Sequence, residues 1–479
     1  MEEKNLSGGP VEPVKKKKKK RKKVSPYYVV PFFAVLAVLT VVAFILPLRP
    51  TVSQGEKRKL AEFPEFSMEA LTSGSYFDDI NLWFADTFPG RDKWLSASAG
   101  FKELYGYSDV VIYGDGVKGD AVPTVPTRPA ETVPSTTAPS TQPTTAPTTE
   151  PTLPPTEPTY ATSEPPTDPV EVWGGVDAGD DDNIIWGSVL QIGDSAFDYF
   201  GFSQYWSDYY VDCVNYLADQ VEENGTQVVT MLIPSAVGVL VEKEYMEKLE
   251  CADQEAAIDY MNASLNENVV GVDVFQNLLD HNDEYIYFRT DHHWTALGAY
   301  YAYEELCKSL NMEAAPLDSF EVWDQGTFEG SLYWQCNQSS RLKLDNVYAY
   351  NPPGNLEMWI TRDGYSFEWT VLTDMQYSDD NSKYMTFLGG DHYMTEITNH
   401  DLPDGPTCAV VKDSFGNPLV PFLTQNYHKI YVLDFRKYDA MNLAAFASVY
   451  DVDQIIFAHM LGMAQTEGAN SLFGWLCAY

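Results

Sequence analysis

The stretch CAVVKDSFGN at residues 408–417 decides how the chain is expected to fold. Its first half is a short apolar run typical of a buried strand, and a helix is predicted over Asn417–Thr424. A strand that runs straight into a helix is where α/β enzymes present a nucleophile, so Ser414 is a candidate. The N–H groups at such a helix start could hold an oxyanion, although a serine here is also an ordinary helix cap.

Working outward, the chain alternates between strand and helix patterns from residue 184 onward, which predicts an α/β fold with a parallel sheet and helices on both faces. The predicted strands are Ile184–Ile192, Gln227–Ile233, Val269–Phe275, Glu284–Phe288, Cys408–Val411, Ile430–Asp434 and Asp453–Ala458. The predicted helices are Gln204–Glu223, Trp294–Leu310, Asn417–Thr424 and Leu461–Phe473. Residues 318–405 are rich in Tyr, Trp, Asp and Gly and predict an antiparallel, β-rich insertion.

The tetrapeptide Asp291-His292-His293-Trp294 is the sharpest local feature in a chain with only 7 His. Asp291 could simply cap the helix that follows. Asp291 and His293 could instead bind a metal, with a distant third ligand from His281, His392 or His459. In a third interpretation they form an acid–base pair, because an Asp can fix the tautomer of a neighbouring His and stabilise its imidazolium.

An acid–base pair at His293 would need a nucleophile, and two serines compete for that role. Ser414 follows a predicted strand, as described above. Ser195 lies in a Gly-Asp-Ser string at residues 193–195, which looks more like a usual nucleophile string. However, the Phe-rich segment 196–204 that follows Ser195 is typical of a packing corner.

The charge of the chain is unevenly distributed. Overall there are 31 Lys+Arg against 69 Asp+Glu, a net charge of -38, which disfavours nucleic acid as a partner. Residues 15–23 are nonetheless an unbroken basic run, and residues 27–48 that follow carry no charge. At 1.5 Å per residue this uncharged segment spans about 33 Å, enough for one membrane crossing. The pattern predicts an uncleaved signal-anchor with residues 1–26 in the cytoplasm and the bulk of the chain outside the cell.

Composition also suggests domain boundaries. Residues 119–172 are dominated by Pro and Thr and predict a disordered linker. Residues 51–118 before it are the N-terminal part of the extracellular domain, and residues 173–479 its main part. The six cysteines lack metal-binding spacing and are expected to be buried and free. An acidic loop at Asp177 and Asp180–Asp182 lacks an ordered calcium-ligand pattern and is better interpreted as solvated.

The strings above resemble those of the DHHW proteins, which are similar to the AlgJ/AlgX group of alginate O-acetyltransferases in the SGNH hydrolase-like superfamily. The resemblance rests on the D-x-H-W string at 291–294 and the Asp-Ser string at 413–417. It also includes EKRKL at 56–60 with Phe63-Pro64, D-x-F-P-x-R at 86–91, IGD at 192–194 and LIPS at 232–235.

The resemblance implies an SGNH-like, flavodoxin-like fold and a triad in which Ser414 is the nucleophile, His293 the general base and Asp291 the orienting acid. The chain order Asp–His–Ser is circularly permuted relative to ordinary SGNH hydrolases. The AlgJ/AlgX group has the same permuted order, so the resemblance favours Ser414 over Ser195. His292 is expected to be structural. Asn417 and Arg436 are candidates for oxyanion or substrate contacts, because the Gly and Asn that name the superfamily have no secure counterpart.

The function expected on this basis is transfer of an acetyl group to a cell-surface polysaccharide, with a membrane-bound O-acyltransferase as partner and no cofactor or metal. A carbohydrate esterase is the nearest alternative, with water as the acceptor. A non-catalytic polysaccharide-binding wall protein and a metal-dependent hydrolase remain open.

Overall fold

The structure is a computed structural model that describes residues 51–53, 58–64, 66–67, 71, 76–77, 80, 83–84, 87–88, 110–113, 119–123, 189–362 and 364–479. The predicted basic tail, the predicted membrane span, residues 124–172 of the linker and the acidic loop at 177–182 lie outside the described residues, as do Arg91 and Trp94. Within the described residues, every helix is too short or too polar to cross a membrane.

The chain divides into two units, one of residues 1–53 and 58–91 and one of residues 54–57 and 92–479. In the first unit, strands β1 (Val52–Ser53) and β2 (Arg58–Lys59) pair antiparallel. The rings of Phe63 and Trp83 meet edge to face at 4.8 Å. The second unit contains all the elements described below.

Strands of the second unit form one large sheet and two small ones. The strands are β3 (Val110–Tyr113), β4 (Val189–Ile192), β5 (Ser195–Asp198), β6 (Gln227–Ile233), β7 (Val269–Val272), β8 (Glu321–Phe328), β9 (Asp345–Asn351), β10 (Leu356–Arg362), β11 (Tyr365–Trp369), β12 (Met394–Asn399), β13 (Thr407–Lys412), β14 (Lys429–Asp434) and β15 (Gln454–Met460).

Within the part of this unit that the structure describes, ten α-helices connect these strands. They are α1 (Gln204–Val221), α2 (Ala236–Leu240), α3 (Lys243–Lys248), α4 (Gln254–Ala263), α5 (Phe275–Asp280), α6 (Ala296–Ser309), α7 (Ser331–Gln335), α8 (Val420–Leu423), α9 (Leu443–Tyr450) and α10 (Glu467–Cys477). Short 3₁₀ helices lie at Glu222–Asn224, Leu317–Ser319, Asp380–Thr386, Ser414–Gly416 and Leu461–Gln465. Helix α1 packs with α4, α9 and α10, whereas α6 packs with α5 and α8.

The fold is mixed α/β around an eight-stranded sheet of order β11-β10-β12-β14-β13-β15-β6-β7. The five strands from β14 to β7 are parallel. Strands β12, β10 and β11 extend this sheet with antiparallel pairing, beginning at Met394 opposite Leu433. The predicted parallel sheet is thus observed in five strands, whereas the sheet as a whole is mixed. The reason is local, because β10 to β12 come from the aromatic- and Gly-rich region 318–405, where tight reversals replace helical crossovers.

Most predicted elements are close to the observed ones, and β6 coincides with its prediction. The predicted strand Glu284–Phe288 is the main error, since that segment forms only one bridge, between Tyr287 and Trp294. Isolated backbone hydrogen bonds, such as that from the Thr295 N–H to the Ile286 carbonyl at 2.9 Å, and the side chain of Asp345 hold this part of the chain instead of a sheet ladder. Asp345 accepts hydrogen bonds from the Arg289 and Thr290 N–H groups at 3.0 and 2.7 Å and from the Tyr285 hydroxyl at 2.6 Å.

A strand from before the Pro/Thr-rich region pairs with one from after it. Strand β3 pairs antiparallel with β4, with Val110 opposite Ile192. The Asp120 N–H also donates to the Phe202 carbonyl at 2.6 Å. The chain segments on both sides of residues 124–188 thus belong to one structural unit.

The core brings the tetrapeptide at 291–294 onto the end of β13. Trp294 is fully buried, and its Nε1–H donates to the Phe415 carbonyl at 2.9 Å. All six cysteines are buried and free, as expected. Burial of Trp294 beside Phe415 therefore joins two segments that are more than a hundred residues apart in sequence.

Replacing Asp345 with Ala is expected to destabilise the fold. The change leaves the buried donors of Tyr285, Arg289 and Thr290 unpaired, and each unpaired donor costs about 1–3 kcal/mol. We expect the free energy of unfolding to fall by about 3 kcal/mol or more, measured by urea denaturation. The exposed Asp404→Ala is the matched control, and equal losses in both variants would contradict this role of Asp345.

Candidate active site

Ser414 lies at the carboxyl end of β13, at the first residue of the 3₁₀ turn Ser414–Gly416. Asp413 fixes this turn, because its Oδ1 accepts the Phe415 N–H at 2.9 Å and its Oδ2 accepts the Met460 N–H at 3.0 Å. Gly416 is needed where the turn folds back, since a Cβ there would lie 2.6 Å from the Lys412 Cβ. Ser414 itself remains half-buried, so its hydroxyl can be reached.

His293 connects Ser414 to Asp291. Its Nε2 lies 2.7 Å from the Ser414 Oγ, and its Nδ1 lies 2.5 Å from the Asp291 Oδ1. His293 and Asp291 are both buried. The three residues therefore form one continuous hydrogen-bonded line in which Asp291 fixes the His293 ring and the far nitrogen faces a hydroxyl.

Asp291 is held ionised despite its burial. Burial opposes ionisation, but the neighbouring His292 and His293 and the hydrogen bonds from His293 and from the Ser331 N–H hold its pKa well below the usual range. Asp291 therefore accepts hydrogen bonds at both oxygens, from His293 at Oδ1 and from the Ser331 N–H at Oδ2 (2.7 Å). A carboxylate in this state stabilises an imidazolium at His293.

The start of helix α7 closes the site on the Asp291 side. The Ser331 Oγ lies 2.8 Å from the His292 Nδ1, and the His292 ring lies against the His293 ring with centroids 3.8 Å apart. Gly330 allows the close approach, because a Cβ there would lie 2.3 Å from the Asp291 Cβ. Burial and then the neighbouring His293 lower the pKa of His292.

Tyr384 covers the other side of His293. The two rings stack with centroids 4.1 Å apart, and the Tyr384 hydroxyl donates to the Ser414 carbonyl at 2.9 Å. Burial raises the pKa of Tyr384 well above its usual range, so the hydroxyl remains a donor. Tyr384 thus contacts the imidazole and the backbone of the serine turn together.

A charged network lies beside the serine turn. Asp391 Oδ1 accepts from Lys412 Nζ at 2.8 Å and from Asn417 Nδ2 at 2.9 Å, while its Oδ2 accepts from Arg436 Nη2 at 2.8 Å. Asp434 binds the same two cations, with Lys412 Nζ at 3.3 Å and Arg436 Nη2 at 2.7 Å. Although burial opposes ionisation, Lys412 and Arg436 keep the pKa of Asp391 below its usual range.

Ser195, the rival serine, has Asp194 and not His293 as its hydrogen-bond partner. The Ser195 side chain is buried, and its Oγ donates to Asp194 Oδ1 at 2.9 Å.

The distant histidines proposed as a third metal ligand also have other partners. His281 contacts Glu284, His392 the Leu388 carbonyl and His459 the Tyr210 hydroxyl. Among the described residues, the compact group of metal-ligand type contains Asp291, His292 and His293 alone.

The sequence matches the DHHW protein family over residues 56–132 and 167–433. The chain belongs to the DHHW protein family. This confirms the family predicted from the D-x-H-W string, and the matched ranges include Asp291, His293 and Ser414.

Solved structures also resemble this DHHW protein. A DHHW family protein from Eubacterium siraeum is 25% identical, with a TM-score of 0.53, over 60% of this chain and 94% of that one. Bacillus cereus PatB1 with a sulfonyl adduct is 16% identical over 59% and 96% of the two chains, with a TM-score of 0.49. The O-acetyltransferase domain of Pseudomonas putida AlgJ is 12% identical over 58% and 91%, with a TM-score of 0.31. No curated protein matches the chain.

Three residues that complete the site of this DHHW protein carry no sequence signal that points to it. Ser331, Tyr384 and Asp391 all lie between β8 and β12, in the region whose composition indicated only an antiparallel insertion. The Gly-Ser pair at 330–331 before a short helix is the one local pattern that could have suggested a helix start near the site.

His292 is expected to make the stability of this protein depend on pH. Its folded-state pKa is lowered, so the unfolded chain binds the proton more readily, and stability is lost as the pH falls through about 6.5. Thermal unfolding at pH 7.5 and 5.5 should show a smaller loss of Tm in His292→Gln than in the wild type. An unchanged loss would assign the effect to other groups such as His392 and His459, whose pKa values burial also lowers.

Proposed function

We propose that this DHHW protein is a membrane-anchored, extracellular acyltransferase that moves an acetyl group onto a hydroxyl of a cell-surface polysaccharide. The observation that carries the proposal is the line Asp291–His293–Ser414, joined at 2.5 and 2.7 Å with the serine half-buried at a strand end. Such a line is the arrangement that activates a serine as a nucleophile.

In the first half-reaction, His293 Nε2 takes the proton of the Ser414 hydroxyl as Oγ attacks the carbonyl carbon of the acetyl donor. The imidazolium that forms is stabilised by the Asp291 carboxylate at Nδ1. When the tetrahedral intermediate collapses, the bond to the leaving group of the donor breaks, and His293 returns the proton to that group. The acetyl group is then an ester of Ser414.

In the second half-reaction, His293 takes the proton from a sugar hydroxyl, whose oxygen attacks the acetyl carbonyl. Collapse of the second tetrahedral intermediate releases Ser414, which regains its proton from His293. Among the described residues, nothing accepts a hydrogen bond from the Ser414 N–H. This N–H is the backbone donor that we assign to the oxyanion in both halves.

The strand order supports an SGNH-like, flavodoxin-like interpretation. If β13, β14, β15, β6 and β7 are numbered 1 to 5, the parallel strands lie across the sheet in the order 2-1-3-4-5. This is the order of flavodoxin-like sheets, in which ligands bind outside the carboxyl ends of the strands. Along the chain, the fourth and fifth strands of that arrangement, β6 and β7, come before the first strand, β13. This order accounts for a triad in which Asp291 and His293 precede Ser414.

The location and partner follow from the sequence outside the described residues. The basic run 15–23 and the uncharged segment 27–48 favour a single membrane crossing with residues 51–479 outside the cell. An external transferase needs acetyl groups delivered across the membrane, so a membrane-bound O-acyltransferase is the proposed partner. The region 119–172 would serve as a linker that leaves the strand pair β3–β4 intact.

Three other functions predict different results. An esterase would use the same three residues with water as acceptor, so only the acceptor separates it from a transferase. A metal-dependent hydrolase is favoured by the ligand atoms of Asp291, His292 and His293, which lie within 4.8 Å of one another. Against it, both ring nitrogens of His293 already face Asp291 and Ser414. A non-catalytic polysaccharide-binding protein would leave this line without a use.

Triad substitutions should abolish acyl transfer. We expect Ser414→Ala and His293→Ala to lower kcat for hydrolysis of a chromogenic acetyl ester by about 10³-fold or more. Asp291→Asn should lower it by about 10²–10⁴-fold, because the His293 ring loses its charged partner. The measurement is initial rates with purified residues 51–479.

Ser195→Ala is the matched control and should retain activity, with folding of every variant checked by circular dichroism. Loss of activity only in Ser195→Ala would overturn the assignment of Ser414. Inhibition by EDTA with recovery on adding Zn²⁺ would favour the metal-dependent hydrolase. Acetylated oligosaccharide products, identified by mass spectrometry, would separate the transferase from an esterase.

The full-length chain is expected in the membrane fraction. Its uncharged segment should resist high-salt and carbonate washing and should be released by detergent. A chain that begins at residue 51 should be found in the wash or the soluble fraction. Release of the full-length chain by salt alone would contradict the proposed membrane span.

A further inference from the structure

We propose that Arg436 is a catalytic residue that donates a hydrogen bond from Nη1 to the oxyanion, and that Asp391 is the positioning residue that aligns it with Ser414. The inference rests on the proposed acyl transfer and adds to it the side-chain half of the oxyanion hole. It follows from which polar atoms around the serine turn already have partners and which do not.

Asp391 connects three elements that surround Ser414. Its two carboxylate oxygens accept hydrogen bonds from Lys412 at the end of β13, from Asn417 in the serine turn and from Arg436 after β14. Asp391 itself lies just before β12, in the antiparallel extension of the sheet. A single carboxylate thus fixes the Arg436 side chain relative to the turn that carries Ser414.

The Nε and Nη2 groups of Arg436 are hydrogen-bonded to carboxylates, and its Nη1 group is the remaining donor. Its Nε and Nη2 donate to Asp434 at 2.9 and 2.7 Å, and Nη2 also donates to Asp391. Among the described residues, no acceptor lies within hydrogen-bonding distance of Nη1. A guanidinium held in a fixed fork loses little entropy when its remaining N–H group binds an anion.

Asn417, the other candidate, holds Asp391 through its side-chain amide. Its Nδ2 must face Asp391, because a carboxylate accepts and cannot donate, and this fixes the orientation of the amide. The atom left buried without a partner is Oδ1, which is an acceptor. The second N–H of Asn417 Nδ2 is still a donor, but it is neutral. We assign the oxyanion to Arg436, because a charged donor forms the stronger hydrogen bond with an anion.

The surrounding charges make this cation useful in the transition state. Two carboxylates, Asp391 and Asp434, balance Lys412 and Arg436, so the network holds no net charge before the reaction. Negative charge on the tetrahedral intermediate then meets a donor that is already oriented and needs no reorganisation. Preorganised donors of this kind act mainly on kcat.

The test uses chemical rescue on the full-length chain purified in detergent. Arg436→Ala should lower kcat for the acetyl ester by about 10²–10³-fold with little change in KM, because the lost contact exists only in the transition state. Added guanidinium chloride, which can bind between Asp391 and Asp434 in place of the lost side chain, should raise kcat of the variant about tenfold. Sodium chloride at equal concentration should restore nothing.

Asp391→Asn should also lower kcat, and in the double variant Arg436→Ala/Asp391→Asn the rescue by guanidinium should be lost. Lys429→Ala is the control, since Lys429 lies at the opposite end of β14 and pairs with Glu396. Urea unfolding of each variant separates a change in stability from a change in rate. Loss of stability in Asp391→Asn without loss of kcat in its folded fraction would overturn the positioning role.

The outcomes separate this inference from the function it rests on. An active wild type whose kcat is unchanged in Arg436→Ala would overturn the role of Arg436 and leave the triad standing. Restoration by sodium chloride as well as guanidinium would reduce Arg436 to a general charge effect and would also overturn it. A wild type that neither hydrolyses the ester nor becomes labelled at Ser414 by a sulfonyl fluoride would remove the proposed function and this inference together.

Discussion

The ionised state of the buried Asp291 is the constraint on which the site depends. A carboxylate removed from water stays charged only if hydrogen-bond donors surround it, and here the His293 ring, the His293 N–H and the Ser331 N–H supply them. Each of these partners is in turn fixed by another element. Ser331 begins helix α7, and His293 is held between Asp291, Ser414 and the ring of Tyr384.

Trp294 gives the same arrangement its rigidity. Because the indole is fully buried and donates to the Phe415 carbonyl, the segment that carries Asp291 and His293 cannot shift relative to the serine turn without breaking a buried hydrogen bond. Asp345 holds the preceding residues from the other side. The geometry of the Asp291–His293–Ser414 line is therefore built into the core.

The antiparallel extension of the sheet contributes more than coverage of an edge. It carries Asp391, and the segment leading into it carries Tyr384, so two of the groups around Ser414 come from outside the parallel strands. This explains why a site at the end of β13 can have a charged network on one side and stacked aromatic rings on the other. The parallel strands place the serine, and the extension places the groups that surround it.

The sequence alone determined the alternation of strands and helices, the DHHW family and the residue types at 291–294 and 413–414, because these depend on local periodicity and short strings. It left Ser414 and Ser195 as rivals, and it placed a strand at Glu284–Phe288, where isolated backbone and side-chain hydrogen bonds replace a ladder. The tertiary structure decided the rest. Which serine faces His293, which polar atoms remain free, and the roles of Ser331, Tyr384 and Asp391 are all contacts between residues distant in the chain. Local sequence patterns do not specify such contacts, because they arise only when packing brings the strand ends together.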